Sequence, residues 1–145
     1  ISACFGIWQL NKLALWGERR LQIVNKYIDS ISHISGIICP NIISPKEKHA
    51  WHLFIIRIIS NQWKISRDEL INKLNMKGVG TAVHYIPVHM QSFYLNKYNY
   101  KPDDFPNSKN MSECIISLPC FPAMTDDQVE YVIGTLTELW GKYKN

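Results

Sequence analysis

Apolar residues recur at three- and four-residue steps from the start of the chain: Ala3, Ile7, Leu10, Ala14, Leu21, Val24, Ile28 and Ile31. That spacing predicts one long helix over residues 2–31. Trp8, Leu13 and Trp16 widen the stripe. Gly17 falls on it at a cost of about 1 kcal/mol relative to alanine. A helix this apolar needs partners on more than one side. Two readings are open: a core helix of this domain, or a bridging helix that also meets another domain or subunit. The helical pattern starts at Ile1 with no cap residue before it, so the folding unit is expected to begin upstream.

Residues 32–48 form a connector with Gly36, Pro40 and Pro45, and residues 37–39 suit a short strand. Residues 51–59 (WHLFIIRII) are apolar at both alternating sets of positions and rich in isoleucine, which predicts a central strand. Ser66-Arg67-Asp68-Glu69 is a capping box, and its helix should run through Leu74 and stop at Gly78. Residues 81–86 predict a second strand ended by Pro87. A short helix or turn is expected over 89–97, a loop over 98–106, a helix over 107–113 and a third strand over 114–118. Thr125-Asp126-Asp127-Gln128 is a second capping box. It opens an amphipathic helix through Val129, Val132, Ile133, Leu136, Leu139 and Trp140 that is expected to close at Gly141. The sum is a small α+β layer: about three strands packed against helices, with a long N-terminal helix.

A chain of 145 residues suits one domain and buries enough surface to need no disulfide or metal staple. With 46% hydrophobic and 19% charged residues, it is neither disordered nor low in complexity. The longest apolar run, 51–59, is interrupted by His52 and Arg57, so no membrane span is expected. The net charge of +4 is spread along the chain, and its only tight basic pair, Arg19-Arg20, follows Glu18. That argues against a nucleic-acid partner. Cys4, Cys39, Cys114 and Cys120 form no C-x-x-C pair, which fits reduced thiols in a cytoplasmic protein.

Candidate chemistry is sparse. Gly78-Val79-Gly80 follows a helix and precedes a predicted strand, the reverse of a dinucleotide fingerprint. His49-x-x-His52 and His84-x4-His89 lack a neighbouring third ligand, so no metal site is expected and ordinary hydrogen-bonded histidines are favoured at His49 and His52. In His84-Tyr85-Ile86-Pro87-Val88-His89, polar aromatic groups gather at a strand end, with Tyr94, Tyr98 and Tyr100 following. That suits a ligand mouth, and a structural tyrosine corner fits equally well. No nucleophile–base pair is present, so no catalytic residue is assigned.

Several strings occur in a telling order: His49-Ala50-Trp51-His52-Leu53-Phe54, Gly78 to His89 (GVGTAVHYIPVH), Asp104-Phe105-Pro106-Asn107 and Ile116 to Thr125 (ISLPCFPAMT). Ala3-Cys4-Phe5-Gly6, Gln9-Leu10, Arg20 and Tyr27 precede them. The set resembles the C-terminal part of the DegT-type sugar aminotransferases. VHYIPVH with DFPN and ISLP looks most like the transaminases that make 4-amino sugars for pseudaminic acid-type glycans. The resemblance implies that residues 1–145 are the small C-terminal domain of a type I, pyridoxal phosphate-dependent aminotransferase fold. Such enzymes move an amino group from glutamate to a nucleotide-linked keto sugar and work as dimers. The Schiff-base lysine and the cofactor contacts come from a large domain, and no lysine here matches that context. The chain alone is therefore expected to bind no cofactor and to be inactive. Its partners would be that large domain or a second subunit, and the nucleotide sugar in the intact enzyme. By resemblance, His84 and Tyr85 are substrate-side residues, with His89 beside them, acting by orientation. The alternative is a stand-alone dimerisation module built on the apolar first helix.

Overall fold

The computed structural model describes residues 2–41 and 48–145. The first helix, α1 (Ser2–Ile31), is 30 residues long, which is about 45 Å at 1.5 Å per residue. The domain covers only its C-terminal half. Ile23, Val24, Tyr27 and Ile31 are buried, whereas Phe5, Ile7, Trp8, Leu10, Leu13 and Leu15 are 51–68% exposed. The two readings of this helix thus divide along its length: core at one end, uncovered apolar surface at the other.

Three antiparallel strands form the sheet in the order β1 (Ile37–Ile38), β2 (Phe54–Ile58), β3 (Ile115–Leu118). The register sets Ile37 opposite Ile58, Phe54 opposite Leu118 and Ile56 opposite Ile116. Phe54, Ile56 and Ile58 face the core, while Ile55 is half-buried and Arg57 exposed. The central strand is therefore shorter than expected and buries one face fully rather than two. Arg57 Nη1 reaches Met111 Sδ on the outer side at 3.8 Å. Residues 81–86 are not a strand: the only pairing there is one bridge between Ala82 and Ser117. The short strand expected over 37–39 forms as Ile37–Ile38 and completes the sheet, because an extended segment becomes a strand only where a partner edge is open along it.

The helices follow their local signals. The Ser66 box caps α2 (Arg67–Met76), and the chain leaves it through Gly78 at φ +77°, a left-handed turn that glycine makes without a Cβ clash. Arg67 Nη1 donates to the carbonyls of Ser112 and Ile115, both at 2.9 Å. These join α2 to the end of α4 (Pro106–Cys114). The short α3 (Ser92–Tyr98) and two single 3-10 turns, Val88–Met90 and Pro102–Asp104, fill the intervening segment. The Thr125 box caps α5 (Asp126–Tyr143), which runs through Gly141 rather than ending there.

Val129, Val132, Leu136 and Leu139 of α5 belong to the same core as α1 and the sheet. Arg19 fastens the α1–α5 contact by donating to Met124 O at 2.6 Å and Asp126 Oδ1 at 2.8 Å. Gly36 lies under two indoles: Trp63 Nε1 donates to its carbonyl at 2.9 Å, and Trp140 meets Trp63 edge-on at 4.9 Å.

Two substitutions test this packing by urea unfolding with an unchanged m-value. A Cβ at Gly36 would run into the rings of Trp63 and Trp140, so Gly36→Ala should cost about 1–3 kcal/mol. Leu136 is fully buried, so Leu136→Ala should cost about 2–5 kcal/mol.

Candidate functional site

The segment after α2 crosses the open edge of β3. Ala82 clamps there through both backbone groups: Ser117 N donates to Ala82 O at 2.8 Å, and Ala82 N donates to Ser117 O at 3.3 Å. Two residues on, the half-buried ring of His84 lies with Nδ1 2.8 Å from Ser117 Oγ. Ser117 is only 4% exposed. Tyr85 meets His84 edge-on, with ring centroids 4.9 Å apart, and the peptide between them is cis. Tyr85 itself is 73% exposed. A tethered imidazole thus stands beside a free phenol at the surface.

His89 is used differently. The Val88–Met90 turn directs it inward, where it is buried. Its Nε2 lies 3.3 Å from Pro102 O, and its ring packs against Phe105 at 4.7 Å. Beyond it the aromatic rings form a ladder: Tyr94 on Tyr98, Tyr98 on Tyr100, and Tyr100 edge-on to Phe105. His84 and Tyr85 therefore form one patch, whereas His89 pins residues 88–105 together from within.

The remaining candidates resolve simply. His49 Nδ1 accepts from Trp51 N at 3.0 Å, and its ring packs on Trp51 at 4.1 Å. Among the described residues no group of three or more His, Cys, Asp or Glu side chains could hold a metal ion. The four cysteines are free thiols. Burial pushes the Cys39 and Cys120 thiols up, which disfavours the reactive thiolate.

Clefts open on the surface of the described residues, and two of them are largely apolar. One, of about 450 Å³, is lined chiefly by Val79, Pro119, Phe121, Met124 and Tyr131 and is apolar. The other, of about 400 Å³, lies between α1 and residues 48–50, lined by Leu10, Leu13, Arg20 and His49. There the Arg20 Nε atom is buried without a hydrogen-bond partner among the described residues. Sequence reasoning gave Arg20 no site role and missed Ser117. Ser117 could have been suspected as the one polar residue in the run Ile115 to Leu118.

The model of the DegT/DnrJ/EryC1/StrS aminotransferase family matches residues 1–137. The chain belongs to that family. It is 39% identical over 139 residues to protein MJ1066 of Methanocaldococcus jannaschii, and 34% identical over 140 residues to the spore coat polysaccharide biosynthesis protein SpsC of Bacillus subtilis. Each alignment covers 96% of this chain and 36% of the relative. Spr1654 of Streptococcus pneumoniae, described as a sugar aminotransferase and solved in a PLP form, superposes with a TM-score of 0.85 at 26% identity. That match covers 94% of this chain and 34% of Spr1654. The chain thus spans about a third of the length of the relatives it matches.

Members of this aminotransferase family use pyridoxal phosphate, and the described residues do not by themselves fit it. None of the described lysines is buried. Lys26, Lys77 and Lys109 pair with Glu130, Glu138 and Asp103, and Lys12 and Lys73 lie over Trp8 and Tyr143. A Schiff-base lysine needs a desolvated amine that loses its proton readily, and these are solvated or ion-paired. What the described residues offer is a surface with the His84–Tyr85 patch on it.

The aromatic segment gives a test of its own. His89→Ala removes the buried pin without touching the core. Residues 88–105 should lose hydrogen-exchange protection and become the first site of protease cleavage. The global unfolding midpoint should change little.

Proposed function

We propose that this chain is the small domain of a pyridoxal phosphate-dependent aminotransferase that aminates a nucleotide-linked keto sugar, with glutamate as donor. The observation that carries the reading is the pairing of family and extent. The chain matches the sugar aminotransferase family along residues 1–137 and spans about a third of its relatives. The uncovered half of α1 supports it. Six large apolar residues at 51–68% exposure form a surface that water disfavours and another domain would cover. The large domain of the same fold is the occupant we assign to it.

In this reading the large domain brings the cofactor, which supplies the electron sink for moving the amino group. This chain supplies orientation. His84 and Tyr85 meet the sugar nucleotide by hydrogen bonding and stacking, with His89 behind them as support. The narrower choice, a transaminase of the pseudaminic acid type, rests on VHYIPVH, DFPN and ISLP alone.

A second reading is favoured by α1 alone: a dimerisation module in which two copies cover each other's apolar helices. A chain that sediments as a monomer at high concentration would exclude it.

Three measurements test the main reading. The chain mixed with equimolar pyridoxal phosphate and then desalted should retain no aldimine absorbance; a retained stoichiometric adduct would contradict the assignment of the cofactor site to another domain. The coding sequence upstream of the Ile1 codon should continue into a domain with a Schiff-base lysine. The complete protein should then convert a nucleotide-linked keto sugar with L-glutamate and release 2-oxoglutarate. Absence of that turnover would overturn the proposed function.

A further inference from the structure

Strand β3 reads Ile-Ile-Ser-Leu, and all four residues are buried. A hydroxyl in that setting needs an explanation, because burying a polar group without a partner is unfavourable. Both backbone groups of Ser117 are taken by the Ala82 bridge. Its side chain has one hydrogen-bond partner among the described residues, His84 Nδ1 at 2.8 Å.

The direction of this bond follows from counting protons. A serine hydroxyl has one proton to give. If Nδ1 carried the ring proton and donated to Oγ, the serine proton would be left with no acceptor in an apolar strand. If the hydroxyl donates to the Nδ1 lone pair, both the serine proton and Nδ1 are satisfied. A neutral imidazole that accepts at Nδ1 carries its proton on Nε2. Nε2 makes no hydrogen bond among the described residues, and exposed Tyr85 stands beside the same ring.

We infer that Ser117 is a positioning residue whose buried hydroxyl holds His84 as the neutral Nε2–H tautomer, so that the ring presents a hydrogen-bond donor to an acceptor oxygen of the substrate. The oxygen is a hydroxyl, keto or phosphate oxygen, since each accepts from N–H. In this tautomer the outward nitrogen has no lone pair to take a proton, so His84 orients and does not act as a base. The substrate-facing half of the inference rests on the aminotransferase reading; the serine–histidine half stands on this chain alone.

Nitrogen-15 NMR of the chain at about pH 8, above the ordinary imidazole range, tests the tether directly. His84 should show a pyridine-like Nδ1 and a pyrrole-like Nε2, with a slowly exchanging Ser117 hydroxyl proton. Ser117→Ala should give a mixture of tautomers and weaken the contacts between the His84 and Tyr85 rings; Ser117→Thr should restore both. A wild-type ring protonated at Nδ1 overturns the inference even if Ser117→Ala fails to fold. A folded Ser117→Ala with an unchanged His84 spectrum also overturns it, by showing that the serine only fills space.

In the complete protein, Ser117→Ala and His84→Phe, which keeps a ring but has no donor, should each lower kcat/KM for the sugar nucleotide about tenfold, with Ser117→Thr close to wild type. A fixed tautomer with full activity in His84→Phe overturns the substrate-facing role while the tether stands. Absence of aminotransfer in the wild-type complete protein is instead a failure of the functional reading.

Discussion

Tyr27 is the point at which the layers of this domain meet. It leaves α1 fully buried, lays its ring against Phe54 of β2 at 5.1 Å and donates its hydroxyl to Pro119 O at 2.9 Å, just past β3. One side chain thus joins the helix to two strands and to the turn that leads into α5. Burial pushes the phenol far above its ordinary range, so it remains a neutral donor at any ordinary pH. The position of Tyr27 also decides how much of α1 the domain can use. With the anchor near the C-terminal end of a helix about 45 Å long, a three-stranded sheet and one facing helix cannot reach the N-terminal turns. The exposed apolar half of α1 is therefore a consequence of geometry.

The same sheet explains how the His84–Tyr85 patch is held. β1 covers one edge of β2 and β3 the other, and the free edge of β3 accepts only Ala82. A single bridge would leave the following residues loosely placed. The Ser117 hydroxyl adds a second attachment two residues later, and the inward-turned His89 a third through Pro102 and Phe105. The patch thus combines a fixed backbone with exposed side chains, the arrangement in which loops on a rigid scaffold serve recognition.

Much of this was legible in the sequence, and the gaps have physical causes. The boxes at Ser66 and Thr125 are local, so the helix starts were readable from four residues each. Residues 81–86 looked like a strand because Thr, Val, Tyr and Ile favour extended backbone, but whether a partner edge runs alongside is a tertiary fact. The run 51–59 is apolar enough to suggest burial on both faces, although Arg57 signals an outer one; its guanidinium meets the Met111 sulfur there. The family strings made His84 and Tyr85 visible. Ser117 was not, because its contact with His84 spans 33 residues and no spacing rule connects them. His89 looked equivalent to His84 in sequence, and only the turn at Val88–Met90 separates their roles.

These features also bear on where bond-making chemistry could occur. An amine nucleophile or base must be desolvated, and the described lysines lie at the surface, several of them in ion pairs. Activation of a thiol needs nearby positive charge, and at Cys120 the Arg20 charge pulls the thiol down less than burial pushes it up. Of the two candidate imidazoles, one is tied to a serine hydroxyl and the other is packed inside a turn. What stays available is directional: a ring nitrogen, a phenol and an apolar helix face. Such groups accelerate a reaction only by fixing a substrate against reactive groups held elsewhere, and in the proposed function the uncovered half of α1 is the surface that would hold a domain carrying those groups in register.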